Sequence, residues 1–312
     1  MGRIAFIFPG QGSQRVGMGK ALCEAYPEVR REYFDRADDV LGFSLSHLCF
    51  EGPEDDLVRT ENQQPAIFLV STAIDSVLRA HGMEPQAVAG HSVGEYAALV
   101  AADAFSFEDG LRLTRRRGEL MAQVAGQTGG IMVAVLGLPA ERVEVACSEA
   151  RLLGVVEAAN YNSPVQTVIS GEESAVRRAM ELVREAGARR VVQLPVSAPF
   201  HCSLMAPLVA QCDPVLRSVS MRDPSIPVVA NVDADYERTA EEVRRNLIEQ
   251  LDHPVRWTAS MRRLIDDGFD TFVEVGPERV LAGLMRSIDS TPTVYSTGDP
   301  EGIERALQTV AA

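Results

Sequence analysis

Lysine is all but missing: of the 30 basic residues in this 312-residue chain only Lys20 is a lysine, a bias that reflects genome composition more than function. Basic residues are also outnumbered. A formal charge of -14 leaves no surplus of cations to neutralise phosphates, which argues against non-specific nucleic-acid binding. Cysteine is sparse too, and Cys23, Cys49, Cys147, Cys202 and Cys212 are odd in number, scattered and free of any CxxC pair. That pattern excludes a disulfide framework and a zinc cluster, and it points to a reducing, cytoplasmic setting. No run of 18 or more apolar residues and no basic-apolar leader occurs, so neither a membrane span nor secretion has a signal. What is present, 46% hydrophobic and 24% charged residues, suits a globular chain with one large core, or a core carrying a smaller domain.

Residues 3 to 8, RIAFIF, form a continuous apolar run closed by PGQG, which predicts a buried parallel-type strand ending in a tight loop. Helical segments follow to about Gly82. Val88 to Gly90 predict a short strand, HSVGE a sharp turn and YAALVAA a helix. Ser106, three residues before Asp109, marks the N-cap of another helix running to about Gly126. From Gly129 the rhythm changes to strand, helix, strand, strand, helix, strand, an order that suits a ferredoxin-like subdomain. After Pro199 buried strands alternate with helices again, at IPVVANV and TFVEVGP, with a last apolar stretch at TPTVYST. The expected organisation is an α/β-hydrolase-like large α/β domain, 1–128 and 199–312, with a ferredoxin-like small domain inserted at 129–198.

Gly90-His91-Ser92-Val93-Gly94 fits G-x-S-x-G, where flanking glycines let the backbone make a strained strand-to-helix turn that exposes the serine hydroxyl. The same turn aims the NH of Val93 at an oxyanion formed on an acyl group carried by Ser92. An ordinary turn serine is the competing reading. A second oxyanion donor has to come from another strand end, and FPGQGSQ supplies a glycine-flanked loop with the NH of Gln11. That loop is neither a dinucleotide fingerprint, since position 15 is arginine, nor a phosphate-binding loop, since position 18 is methionine.

Five histidines compete as the base. His91 adjoins Ser92, where consecutive side chains diverge, so it shapes the pocket in preference to taking the proton. His81 ends a helix at Gly82 and suits the last carbonyls, His47 suits the core, and His253 precedes a proline in a loop. His201 stands where the small domain returns to the large one, at the junction where a cleft would form, and is favoured by position alone. Among Arg115, Arg116 and Arg117, helix periodicity puts Arg117 with Leu113, Leu120 and Met121 on the apolar face. A buried guanidinium needs an internal carboxylate or a bound anion, and both readings stay open.

Taken together, FPGQGSQ (8–14), GHSVGE (90–95), the RRRG segment ending at Gly118, NYNSP (160–164), SAPFH (197–201), QLDHPVRW (250–257) and EVGP (274–277) resemble the malonyl-CoA:acyl carrier protein transacylases of the acyltransferase family, essentially from end to end and in order. The resemblance implies a Ser92 nucleophile, His201 as base and then acid, and Gln11 and Val93 NH groups as oxyanion hole. It implies that the main-chain carbonyl of Gln250 orients His201, that Arg117 binds the malonyl carboxylate, and that His91, Asn160, Asn162 and Phe200 line the substrate site. By the same resemblance Phe200 and Val93 look like the malonyl-selecting form and not the methylmalonyl-selecting one. The activity implied is transfer of malonyl from malonyl-CoA to the phosphopantetheine thiol of acyl carrier protein, releasing CoA, for fatty acid or polyketide synthesis, by a monomer without metal or redox cofactor. Rival readings are a serine thioesterase or hydrolase and a non-catalytic module that docks carrier protein.

A carrier protein of this family is strongly acidic and has to dock on a chain that is itself acidic, so a comparatively neutral surface is required. Residues 129–198 hold seven arginines against eight glutamates, so nearly all the excess negative charge lies elsewhere. Arg177 with Arg178, and Arg189 with Arg190, are the expected docking residues; ordinary solvated helix faces are the alternative.

Overall fold

The computed structural model describes residues 2–196 and 198–308. Ser197, which opens the SAPFH segment, lies outside the described residues. Ten strands occur among the described residues, in chain order: β1 (Arg3–Phe8), β2 (Ala87–Gly90), β3 (Ile131–Leu136), β4 (Val156–Ser163), β5 (Gln166–Gly171), β6 (Arg190–Gln193), β7 (Val228–Val229), β8 (Tyr236–Glu237), β9 (Phe269–Glu274) and β10 (Thr293–Ser296). They form two sheets. The larger has the order β10-β9-β1-β2-β7-β8 and is parallel except for β8.

Burial on both faces explains the unbroken apolar runs of β1 and β2. Side chains alternate between two cores with the two-residue period of a strand. Phe6, Phe8, Val88 and Val273 face the helices Thr60–Ala80 and Phe107–Thr128, whereas Ala5, Ile7, Ala87, Ala89 and Phe272 face Trp257, Met261, Leu281 and Met285. Ser106 caps the second long helix, its hydroxyl accepting from the Asp109 NH, and that helix runs to Thr128.

The smaller sheet has the order β4-β5-β3-β6 with every pair antiparallel. With the helices Ala140–Ala150 and Glu173–Glu185 between strands, this is the βαββαβ ferredoxin-like arrangement. Val133, Val135 and Ile169 pack under those two helices through Val143, Ala146, Val176 and Val183. The opposite face sends Met132, Ala134, Ala159 and Val168 against Leu120, Met121, Met205 and Leu208 of the large domain. The fold is thus a large α/β domain carrying an inserted ferredoxin-like one, and β4 is stitched to the large domain by Val255, whose NH donates to Ala159 and whose carbonyl accepts from Tyr161, both at 2.9 Å.

Two expected strands, and one further apolar stretch, are shorter in the structure than their runs in the sequence. IPVVANV contracts to β7 because the Ala230 NH bonds to the Asp235 carbonyl and the chain doubles back into β8. The last strand expected of the small domain, the run RRVVQLPVS from Arg189, stops at Gln193, two residues before Pro195, which has no NH for a ladder. TPTVYST keeps only Thr293–Ser296, at the edge of the sheet.

Candidate active site

At the end of β2 the backbone of Ser92 takes φ 52°, a left-handed conformation that a side chain rarely adopts. Crowding dictates its neighbours. A Cβ on Gly90 would lie 2.0 Å from the Gly94 carbonyl carbon, and one on Gly94 would lie 2.2 Å from the Phe8 carbonyl oxygen. The helix Gly94–Ala101 therefore starts directly against the β1 loop. His201 is held at φ 59°, so both partners of the central contact sit in strained backbone.

Ser92 Oγ donates to His201 Nε2 at 2.7 Å, and His201 Nδ1 donates to the Gln250 carbonyl at 2.8 Å. Both side chains are buried. Burial, and secondly the Arg117 guanidinium, push His201 down to about 3, so its ring is neutral at rest and its Nε2 lone pair is free to take the serine proton. Asn231 braces the elbow, accepting from the Ser92 NH at 2.7 Å and donating to the Gly90 carbonyl at 2.6 Å.

The loop after β1 abuts this turn, since the His91 NH donates to the Phe8 carbonyl at 2.8 Å. Neither the Gln11 NH nor the Val93 NH donates to another group among the described residues, so both are available to an oxyanion. The Gln11 side chain is tied to Gln63.

Arg117 is buried, and its partners are neutral oxygens. Nη1 donates to Gln64 Oε1 at 2.8 Å, and Nη2 donates to Gln250 Oε1 at 2.8 Å and to Ser92 Oγ at 3.2 Å. Nε has no partner, and the guanidinium carbon lies 5.7 Å from the centroid of the Tyr96 ring. No carboxylate lies within ion-pair distance among the described residues. Of the two possibilities for a buried guanidinium, the internal ion pair is absent there.

His91 donates from Nε2 to Asn162 Oδ1 at 2.8 Å and sets its ring edgewise against Trp257. Asn160 and Asn162 are both buried on β4. Phe200 is buried in the layer between the small sheet and the large domain. His47, for which a core position is one of two readings, is exposed, because it falls on the outer face of the helix Leu45–Glu51. His253 is exposed as well, and His81 Nδ1 lies 2.8 Å from the Val77 carbonyl at its helix end.

On the small domain Arg177 pairs with Glu173 and Arg178 with Glu181 along their own helix, as solvated helix faces do. Arg189 and Arg190 are exposed at the start of β6. Sequence reasoning passed over Gln64, Asn231 and Glu95. Only Glu95 carried a signal, as the last residue of GHSVGE; the other two converge from segments 139 and 28 residues away from Ser92. No group of three or more His, Cys, Asp or Glu is placed to hold a metal among the described residues.

A strained serine with its histidine, free backbone NH donors and a buried cation is a site for acyl transfer. In agreement with that chemistry, the sequence matches the acyl transferase domain family over residues 5–297. It is 43% identical to the malonyl CoA-acyl carrier protein transacylase of Bacillus subtilis, over 99% of this chain and 98% of the relative, and 40% identical to that of Escherichia coli K12, over 99% and 100%. The fold superposes with TM-score 0.93 on the transacylase of Streptococcus pneumoniae, at 42% identity, covering 98% of this chain and 100% of that one. It superposes with TM-score 0.96, at 40% identity and coverage of 98% and 99%, on a malonyl-transacylase solved in complex with its type II polyketide acyl-carrier protein. The chain belongs to the acyltransferase family, and within it to the malonyl-CoA:acyl carrier protein transacylases.

Proposed function

We propose that this chain transfers a malonyl group from malonyl-CoA to the phosphopantetheine thiol of acyl carrier protein through a malonyl ester on Ser92. The observation that carries the reading is the convergence on one hydroxyl of a neutral base, His201 at 2.7 Å, and a carboxylate-free guanidinium, Arg117 at 3.2 Å. A simple esterase needs the first and has no use for the second.

His201 Nε2 takes the Ser92 proton as Oγ attacks the thioester carbonyl, and the oxyanion develops against the Gln11 and Val93 NH groups. The C–S bond then breaks, and the CoA sulfur leaves with the proton held by His201. Arg117 pairs with the free malonyl carboxylate, exchanging its bond to Ser92 Oγ, a poor acceptor once esterified, for a charge-assisted one. His91, Asn160, Asn162 and Phe200 frame the acyl group. In the second half-reaction the carrier-protein thiol gives its proton to His201 and attacks the ester; the Ser92 C–O bond then breaks and His201 returns the proton to Ser92 Oγ. No step calls for a metal or redox cofactor. The site lies where residues 129–198, taken as the small domain, meet residues 1–128 and 199–312. We place the enzyme in the cytoplasm as a monomer; no helix among the described residues is long and apolar enough to cross a membrane.

Brief mixing with malonyl-CoA should add one malonyl group to the intact protein by mass spectrometry, and Ser92→Ala should abolish it. An adduct that persists on the alanine variant puts the nucleophile elsewhere. Single-turnover partitioning of that adduct between thiol and water tests the hydrolase alternative.

A further inference from the structure

Glu95 takes no part in the transfer as derived above, yet it is bonded to both halves of the machinery. It is fully buried, and its Oε2 accepts from Gln250 Nε2 at 2.8 Å and from the Asn231 backbone NH at 3.2 Å. Asn231 grips the elbow on either side of Ser92, at the Ser92 NH and the Gly90 carbonyl. Gln250 serves three groups: its carbonyl accepts from His201, its Oε1 accepts from Arg117, and its Nε2 also donates to the Ser92 carbonyl at 3.1 Å.

A carboxamide has one accepting end and one donating end, whereas Arg117 can only donate. Oε1 of Gln250 must therefore face Arg117, which turns Nε2 the opposite way, where it requires a strong acceptor. Glu95 is that acceptor. We propose that Glu95 is a positioning residue for the transfer: by holding Gln250 and Asn231 together, it keeps His201, Arg117 and Ser92 at their mutual distances. The inference rests on Ser92 being the acylated residue.

The second carboxyl oxygen, Oε1, has no hydrogen-bond partner, and burial raises the Glu95 pKa. A proton can sit on Oε1 while Oε2 goes on accepting, so the geometry does not depend on the charge. Glutamine reproduces that form, with its carbonyl oxygen in place of Oε2. Aspartate keeps the charge but is one methylene too short to reach Gln250.

The test is rapid-quench acylation by malonyl-CoA, following both the rate constant and the final yield of adduct, in the wild type, Glu95→Ala, Glu95→Asp and Glu95→Gln. Displacements of about 1 Å cost on the order of 100-fold in rate, so the alanine and aspartate variants should acylate more slowly by roughly that factor while still reaching one adduct per chain. Glutamine should recover most of the rate. Wild-type rates in the alanine or aspartate variant would overturn the inference, and so would a reduced yield at unchanged rate, which marks a folding role. A glutamine variant as slow as alanine would also overturn it, by making charge the operative property. Should the alanine variant not fold, aspartate against glutamine decides. A wild type that forms no adduct would instead overturn the reading of Ser92 on which the inference rests.

Discussion

Arg117 is surrounded by three oxygens, from Gln64, Gln250 and Ser92, none carrying a charge. Burying a cation among neutral acceptors is costly, and on the proposed reading a substrate carboxylate offsets that cost. Its field also falls on His201, whose proton affinity it lowers. On the proposed pairing, a malonyl carboxylate would offset that field and so strengthen the base when the substrate binds. A charge-assisted pair is worth about 1.5 to 3 kcal/mol, so Arg117→Ala should lower malonyl transfer by tens- to hundreds-fold. Acetyl transfer, which needs no cation and gains a stronger base, should fall far less or rise. Equal losses for the two acyl groups, measured as kcat/KM, would make Arg117 a structural residue.

Among the elements, the turn between β2 and the helix Gly94–Ala101 tolerates least. An added methyl on Gly90 lands within 2.0 Å of backbone that has nowhere to move, because Gly94 itself presses on Phe8. Gly90→Ala should cost roughly 3 kcal/mol, the upper end of what overpacking usually takes, and displace Ser92 from His201. Gly126, inside the helix Phe107–Thr128 with nothing within 4 Å of its missing Cβ, is the matched control. Gly126→Ala should stabilise by about 0.5 to 1 kcal/mol through helix propensity. Thermal melts and acylation rates of the two variants separate these outcomes. A Gly90→Ala protein with normal melting and normal acylation would mean that the turn relaxes freely.

At the scale of the whole molecule the issue is charge, because a chain at -14 must receive an acidic partner. Of the four arginines expected to dock it, Arg177 and Arg178 are engaged with Glu173 and Glu181, which leaves Arg189 and Arg190 as the pair to test. Arg189→Glu with Arg190→Glu should raise KM for carrier protein, more at low salt, because long-range attraction is screened as ionic strength rises. Acylation of Ser92 by malonyl-CoA should be unchanged in the same variant. Unaltered carrier-protein kinetics would move docking to the large domain, where Arg286 is the next residue to change.

How much of this was legible beforehand follows from the range of the forces involved. The unbroken apolar run of β1, the Ser106 cap, the G-x-S-x-G turn and the βαββαβ order are local, set by sterics and periodicity within a few residues, and the amino-acid sequence by itself determined them. Arg117 could be assigned to a buried helix face for the same reason. Its surroundings could not: Gln64, Gln250 and Ser92 come from three separate segments, and only the packing of the Thr60–Ala80 and Phe107–Thr128 helices beside the parallel sheet brings them within hydrogen-bond reach. The end of β7 was likewise decided in three dimensions, by the Ala230 to Asp235 turn, whereas the end of β6 before Pro195 is a local effect of a residue without an NH. Position and resemblance already favoured His201 among five histidines, but only tertiary structure set it 2.7 Å from Ser92 and joined Glu95, Asn231 and Gln250 into one network. Such contacts span up to 158 residues of chain. No short-range preference encodes them; they exist because burying both cores leaves the polar ends of these segments facing one another, where each must find a partner.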